Sequence, residues 1–353
     1  MQKMKRLTKV FCIVVGVVLI AGVTLAECAE FKPLKLTAVM WGRNVHDAPA
    51  AGLWLIKEHL EKETAGKVTL DINSAGVLGK AGENYDLLLK RVVDVCCFAP
   101  AFSPGRFPMA SVGDLPLWVP DIRVTTKLFR ELAKKGYFDT DFKDVVLVGL
   151  HGNQPYYFGW RDKPVLTLAD FKGKKVRAPG GLYPKMLNAL GASAVSLPAG
   201  EVYTAMEKGI VDGAFVNGSM LHDYQLPEIM KYITMPRCST FLMGMAFNKR
   251  SWANLPKEVK AIIEKVSFER MVDAAVDAQL DADVKGEKLF DTKGGKRTEL
   301  SAADIKKMKE LYIPIFATWT KNMEAKGLPG KKLLDDTYSI LKGLGVQEPF
   351  VAP

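Results

Sequence analysis

The sequence predicts an α/β fold with parallel sheets, and three observations carry that prediction. Residues 166–217 alternate strand, helix, strand, helix, strand; residues 34–150 repeat the alternation; and 353 residues suffice for two domains with cores of their own. Helical stretches with apolar residues three and four apart follow to the end of the chain.

In chain order, Lys3, Lys5, Arg6 and Lys9 precede an apolar run at 10–21, followed by Thr24-Leu25-Ala26. That pattern is a secretory signal peptide, too short for a permanent span, with cleavage expected after Ala26 or within a few residues of it. Cys28 raises a lipoprotein alternative, to which Glu27 is a poor fit. Removing residues 1–26 takes away four bases and no acid, so the formal charge falls from +10 to +6. A basic exported protein suits an anionic small ligand or a negatively charged membrane surface. Nucleic acid is not expected as a partner, since the lysines are dispersed and no aromatic-basic motif occurs.

Residues 34–40 form an apolar strand ending at Trp41-Gly42-Arg43, and a helix follows over 47–63 with Leu53, Ile56 and Leu60 on one face. A turn at 64–67 leads to the next strand. Gly76-Val77-Leu78-Gly79, with Glu83 four residues on, opens a helix through Lys90. Strand 92–98 leads into a Pro/Gly loop at 99–108 carrying Phe102, Arg106 and Phe107, then a helix over 124–135 and a strand over 145–150. Residues 151–155 begin the crossing to a second domain. Its entering strand, 156–161, reads Tyr-Tyr-Phe-Gly-Trp-Arg; such aromatic density fits a ligand-stacking wall, although buried sheet aromatics are the commoner explanation.

Thr167 with Asp170 three residues on makes a capping box for one helical turn, which Gly173 closes. Residues 174–177 read as a strand ended by Ala178-Pro179-Gly180-Gly181, 183–190 as a helix, 194–197 as a strand, 201–208 as a helix ended by Gly209, and 211–216 as a third strand. Arg177 stands where the first of these strands runs out, the end at which open α/β sheets bind ligands. Its guanidinium is a planar fork that matches a carboxylate. An arginine more often serves a surface salt bridge, but the strand-end position and the glycines, which let a ligand approach the backbone, favour a site.

Residues 233–248 return through strand-like sequence to the first domain and carry Phe241. After Pro256 a helix with Val259, Ile262, Ile263, Val266, Val272, Val276 and Leu280 meets no strong breaker before Gly286. It should run about thirty residues, or about 45 Å. A late strand at 296–300, a helix capped by Ser301 that Pro314 should kink, and a last helix over 329–341 complete the chain.

Cys96 and Cys97 are adjacent and Cys238 distant, which reads as buried, inert thiols, with a pairing of Cys238 to one of the others left open in an oxidising compartment. His46, His59, His151 and His222 are scattered and form no ligand set, and no cofactor is called for. There is no Gly-x-Ser-x-Gly and no His-Glu-x-x-His, so a secreted hydrolase lacks its signatures.

Four motifs occur in order: Asp170-Phe171-Lys172-Gly173-Lys174-Lys175-Val176-Arg177; Leu190-Gly191-Ala192; Glu201-Val202-Tyr203-Thr204-Ala205-Met206; and Gly209-Ile210-Val211-Asp212-Gly213. Together with the Gly-x-Leu-Gly element they resemble the solute-binding proteins of tripartite ATP-independent periplasmic (TRAP) transporters, the DctP-like family. The resemblance implies a two-lobe periplasmic-binding-protein architecture with mixed, mainly parallel sheets, hinge strands and a long helix bracing both lobes. Lobe I would comprise residues 27–153 plus 242–283, and lobe II residues 154–241 plus 284–353. It implies a periplasmic receptor, not an enzyme, that captures a small-molecule carboxylate and delivers it to the permease subunits of an ion-coupled transporter that uses no ATP. A receptor for an ABC importer or a ligand-sensing system shares the architecture and is the alternative; a secreted enzyme is a third reading.

By the same resemblance, Arg177 pairs with the substrate carboxylate and Arg161 is a second anion contact. Relatives often place a polar contact where this chain has Val216; Asn217 is expected to take that role, or the site is more apolar. Trp41 and Phe102 from the first domain, with Tyr157 and Phe241, complete the expected binding set. The family also places a glycine just before the strand at 92–98, where this chain has Arg91-Val92-Val93.

Overall fold

The alternation of apolar strands and amphipathic helices resolves into two sheets. The computed structural model describes residues 31–42, 50–266 and 268–350. The expected signal segment 1–26, Cys28 and Arg43 lie outside the described residues. In chain order the structure runs β1 (Leu34–Val39), α1 (Ala51–Glu63), β2 (Val68–Asn73), α2 (Asn84–Leu89), β3 (Val95–Phe98), α3 (Ile122–Lys134) and β4 (Val145–Gly152). The chain then crosses to β5 (Tyr156–Trp160), β6 (Lys175–Ala178), α4 (Tyr183–Ala189), β7 (Ser193–Ser196), α5 (Val202–Glu207), β8 (Gly213–Val216), α6 (Gly218–Asp223) and β9 (Tyr232–Ser239). It returns through β10 (Leu242–Asn248) to α7 (Lys249–Asn254), α8 (Lys257–Lys265), α9 (Phe268–Thr292), β11 (Lys296–Glu299), α10 (Ala302–Glu324) and α11 (Gly330–Gly343).

The first sheet has the order β2-β1-β3-β10-β4 and the second β11-β9-β5-β8-β6-β7. The β-α-β-α-β segment builds the parallel trio β7, β6 and β8, with Arg177 opposite Val195 and Ala214. Strand β5 enters antiparallel to β8, and β10 lies antiparallel between β3 and β4. Two crossings therefore join the sheets, one between β4 and β5 and one between β9 and β10.

Local signals explain most boundaries. The Thr167 amide donates to Asp170 Oδ2 at 2.9 Å, completing the capping box, and Ser301 Oγ accepts from the Asp304 amide at 3.0 Å to start α10. That helix continues through Pro314. Arg91, ahead of β3, takes a left-handed φ of 62°, a conformation that a glycine would adopt freely. Cys96, Cys97 and Cys238 are buried thiols, and no disulfide forms among the described residues.

One expectation about the C-terminal half is corrected. The single helix after Pro256 is two: α8 ends at Lys265, and a new 25-residue helix, α9, begins at Phe268 and runs six residues past Gly286. Gly286 does not end the helix because it serves a crossing: a Cβ there would lie 1.7 Å from the Gly218 carbonyl oxygen of α6. Helix α9 packs on α6 beside the second sheet and on α1 and β4 of the first, so it spans both. The terminal helix packs on α10 and on α3, where Tyr137 Oη donates to Asp336 Oδ2 at 2.6 Å. No helix among the described residues is long and apolar enough to cross a membrane.

Candidate functional site

An open cleft of about 1390 Å³ lies between the two sheets. One wall carries Trp41 after β1 and Phe102 in the loop after β3; the other carries Leu197 after β7, Tyr203 in α5 and Tyr224 after α6. Trp41, Phe102 and Leu197 follow strand ends, where side chains face a ligand without breaking a ladder, and Tyr203 and Tyr224 come from a helix and a helix end.

Arg177 lies beneath the second wall, 1% exposed and the only lysine or arginine among the buried described residues. Its Nε donates to the Leu197 carbonyl at 2.9 Å and Nη1 to the Phe215 carbonyl at 3.2 Å. Burial pulls its pKa below the ordinary arginine value, and the phenols of Tyr156, Tyr224 and Tyr183 act in the opposite direction. No carboxylate among the described residues pairs with it. A buried cation held by neutral dipoles alone is incompletely compensated, and an anionic ligand would supply the missing charge.

The glycines after β6 have a different use from the one the sequence suggests. Gly180 and Gly181 have φ of 133° and 57°. A Cβ on Gly180 would sit 2.7 Å from the Ala101 carbonyl oxygen, and one on Gly181 2.4 Å from Asp114 Oδ2. They admit the opposite lobe's backbone and a buried carboxyl. Asp114 is itself 2% exposed, with its Oδ1 unpartnered, and burial pushes its pKa up to about 8.

Of the expected binding residues, the structure brings Trp41 and Phe102 together in the cleft, edge to face at 5.4 Å. Phe241 backs them: it packs against Phe102 at 5.5 Å, stacks on Tyr156 at 5.7 Å and is 2% exposed. The other three stand elsewhere. Arg161 follows Trp160, which pairs with Gly213 at the start of β8, so the antiparallel register carries it to the edge of the sheet away from the cleft. There it pairs with Asp162 and bonds the Met206 carbonyl. Tyr157 is buried and donates to Glu287 Oε1 at 2.8 Å, with the Arg237 guanidinium 5.1 Å from its ring centroid. Asn217 is the N-cap of α6, accepting from the Met220 amide at 3.1 Å and donating to the Gln154 carbonyl at 3.1 Å, which leaves it buried and engaged.

Sequence reasoning missed Leu197, Tyr203 and Tyr224. The strand-end rule applied to Arg177 holds equally for Ser196-Leu197-Pro198 and would have found the first. Tyr203 stands inside the third quoted motif, where it was read only as part of a family signature. Tyr224 had no signal, because the turn that brings it to the cleft is set by tertiary packing. The charged rim, Lys80, Glu83, Asp86, Arg106, Glu201 and Glu228, comes from four separate loops and helix ends.

The segments on either side of the two crossings are tied to α9 by a hydrogen bond from Gln154 and ion pairs from Arg237. Gln154 Nε2 and Arg237 Nη2 both donate to Asp283 Oδ2 at 2.9 Å, and Arg237 reaches Glu287 Oε1 at 3.0 Å.

Comparison with known proteins supplies the family. The C4-dicarboxylate-binding periplasmic protein DctP of Rhodobacter capsulatus is 25% identical over 288 residues, 78% of this chain and 84% of that protein. A marine metagenome TRAP solute-binding protein specific for aromatic acid ligands superposes with a TM-score of 0.80 at 24% identity, covering 88% of this chain and 99% of that one. A TRAP solute-binding protein from Rhodoferax ferrireducens T118, in complex with copurified benzoate, gives 0.80 at 24% identity over 88% and 98%. Residues 47–322 match the model of the DctP family, and the chain belongs to this family of bacterial extracellular solute-binding proteins, family 7, the receptors of TRAP transporters.

Proposed function

We propose that this protein is a periplasmic receptor that captures an organic acid by its carboxylate on Arg177, closes its two lobes over it, and hands it to the permease subunits of an ion-coupled TRAP transporter. The lobes divide near residue 153 on the way out and residue 242 on the way back, with α9 shared between them. The observation that carries the reading is the Arg177 guanidinium, buried behind the cleft-lining Leu197, to whose carbonyl it donates, and without a carboxylate partner among the described residues.

Closure removes water from the Arg–carboxylate contact, which strengthens it and selects anions. A ligand that touches both walls binds the closed form more tightly and shifts the population toward it. The chain catalyses nothing in this reading; the family's members are receptors. The acids bound by the two structural neighbours make carboxylates the first compounds to try. Differential scanning fluorimetry against an organic-acid panel tests the proposal, since a ligand of the native state raises its Tm. Small-angle scattering with a hit from that panel is expected to show a fall in radius of gyration. A panel without a single stabilising acid, or a bound acid that leaves the scattering unchanged, would count against it.

A further inference from the structure

Resting on Arg177 as the carboxylate anchor, we infer that the cleft selects acids with one negative charge and an aromatic ring, and rejects dicarboxylates. The charge part follows from the distribution of ionisable groups. Arg177 is the single buried lysine or arginine of the described residues, so the site offers one desolvated cation. The rim offers no second. Its two bases, Lys80 and Arg106, face four acids, Glu83, Asp86, Glu201 and Glu228. Arg106 is already bound to Asp86 at 2.8 Å, and its guanidinium lies 4.9 Å from the Tyr85 ring centroid. Lys80 is exposed, and its own amide donates to Glu83 Oε2 at 2.7 Å, which keeps an acid beside it. Glu228 is 3.9 Å from Lys293, at the limit of an ion pair, and Glu201 has no basic partner within ion-pair distance among the described residues. A second carboxylate projecting from Arg177 toward the mouth enters a net acidic field, and like charges brought together are the usual way a site excludes the wrong ligand.

The ring part follows from the walls. Phe102 is half-buried, held on its other sides by Trp41 and Phe241, and turns its free surface to the cleft. The half-buried phenols of Tyr203 and Tyr224 stand on the opposite wall. Arg177 Nε donates to the carbonyl of Leu197, which lines the cleft with Tyr203 and Tyr224, so the anion anchor lies directly behind this wall. A planar apolar body has ring surface to pack on at both walls, and offset or edge-on ring contacts add to simple burial.

Calorimetry with benzoate, phenylacetate, succinate and terephthalate at one ionic strength tests this. Benzoate or phenylacetate is expected to bind, with succinate and terephthalate weaker by about tenfold or more. In a Glu201→Gln, Glu228→Gln double variant the ratio of benzoate to terephthalate affinity is expected to narrow by about threefold or more. Arg177→Ala is expected to lose every acid that binds. Succinate or terephthalate binding as tightly as the monoacids, and lost in Arg177→Ala, overturns the charge selection while leaving the anchor standing. A monoacid that binds equally well to Arg177→Ala overturns the anchor itself. Failure of both aromatic monoacids to bind overturns the ring assignment.

Discussion

The Nε of Arg177 is tied to the carbonyl of Leu197 at 2.9 Å, while the Leu197 side chain lines the cleft. Arg177 and the stretch of cleft wall at Leu197 are therefore tied directly to one another. Strands β6 and β7, paired in parallel, set this geometry, so the guanidinium is pre-oriented before any ligand arrives.

Gly286→Ala is expected to destabilise the protein without touching the cleft. The added methyl would meet the Gly218 carbonyl at 1.7 Å and the His222 amide at 2.9 Å, so α6 and α9 must separate. Overpacking of this kind costs about 1–3 kcal/mol or more. Thermal unfolding should show a Tm lower by several degrees, and an unchanged Tm would mean that the two helices are free to part.

Asp283→Ala is expected to weaken the hinge. It strips Gln154 and Arg237 of a shared acceptor that is 5% exposed, and breaking one side of a buried pair costs about 3–5 kcal/mol. Chemical denaturation measures the loss. A midpoint shift below that of an ordinary surface substitution would show that Glu287 alone suffices for Arg237.

Asp114 makes stability depend on pH in a stated direction. Burial raises its folded pKa to about 8, above its unfolded value, so the protein holds this proton more tightly when folded. The contribution is fully present below about pH 4 and is lost as pH rises through about 8, at up to about 1.4 kcal/mol per unit. Asp114→Asn removes that dependence. The Tm of the variant relative to the parent should rise steadily from pH 4 to 8 and level off above. A difference that stays flat over this range would show that the carboxyl finds a partner that lowers its pKa.

Phe102→Ala and Trp41→Ala are expected to weaken binding of an aromatic acid by about tenfold each, in keeping with the loss of ring contact and burial. Their effects should not add, because the two rings support one another at 5.4 Å. Calorimetry on the single and double variants measures the coupling; strict additivity would place the rings at independent parts of the ligand.

Much of this architecture was legible in the residues, and the misses share a cause. The capping box at Thr167, the strand that ends at Arg177 and the αL turns at Gly173 and Gly191 are local signals, and the structure has each of them. Arg161 and Tyr157 stand outside the cleft lining, and their facing depends on β5 running antiparallel to β8, a register that no local pattern announces. Asn217 carries both an N-cap signal and a site signal, and the cap won, since an unsatisfied helix start would be costly in a buried place. Helix α9 continues past Gly286 because tertiary contact with Gly218 outweighs the helix propensity of one glycine. Tyr224 and the acidic rim come from segments far apart in sequence, and only folding brings them to one cleft.

The central claim is that Arg177 holds the carboxylate, and isothermal titration of one binding acid into the parent, Arg177→Ala and Arg177→Lys tests it most directly. Truncating one partner of a buried, charge-assisted pair costs about 2–5 kcal/mol, so Arg177→Ala should lose one to several decades of affinity with its circular dichroism unchanged. Arg177→Lys should also bind poorly, because a point charge does not reproduce the fork that Leu197 and Phe215 hold in place. Parental affinity in both variants would contradict the account.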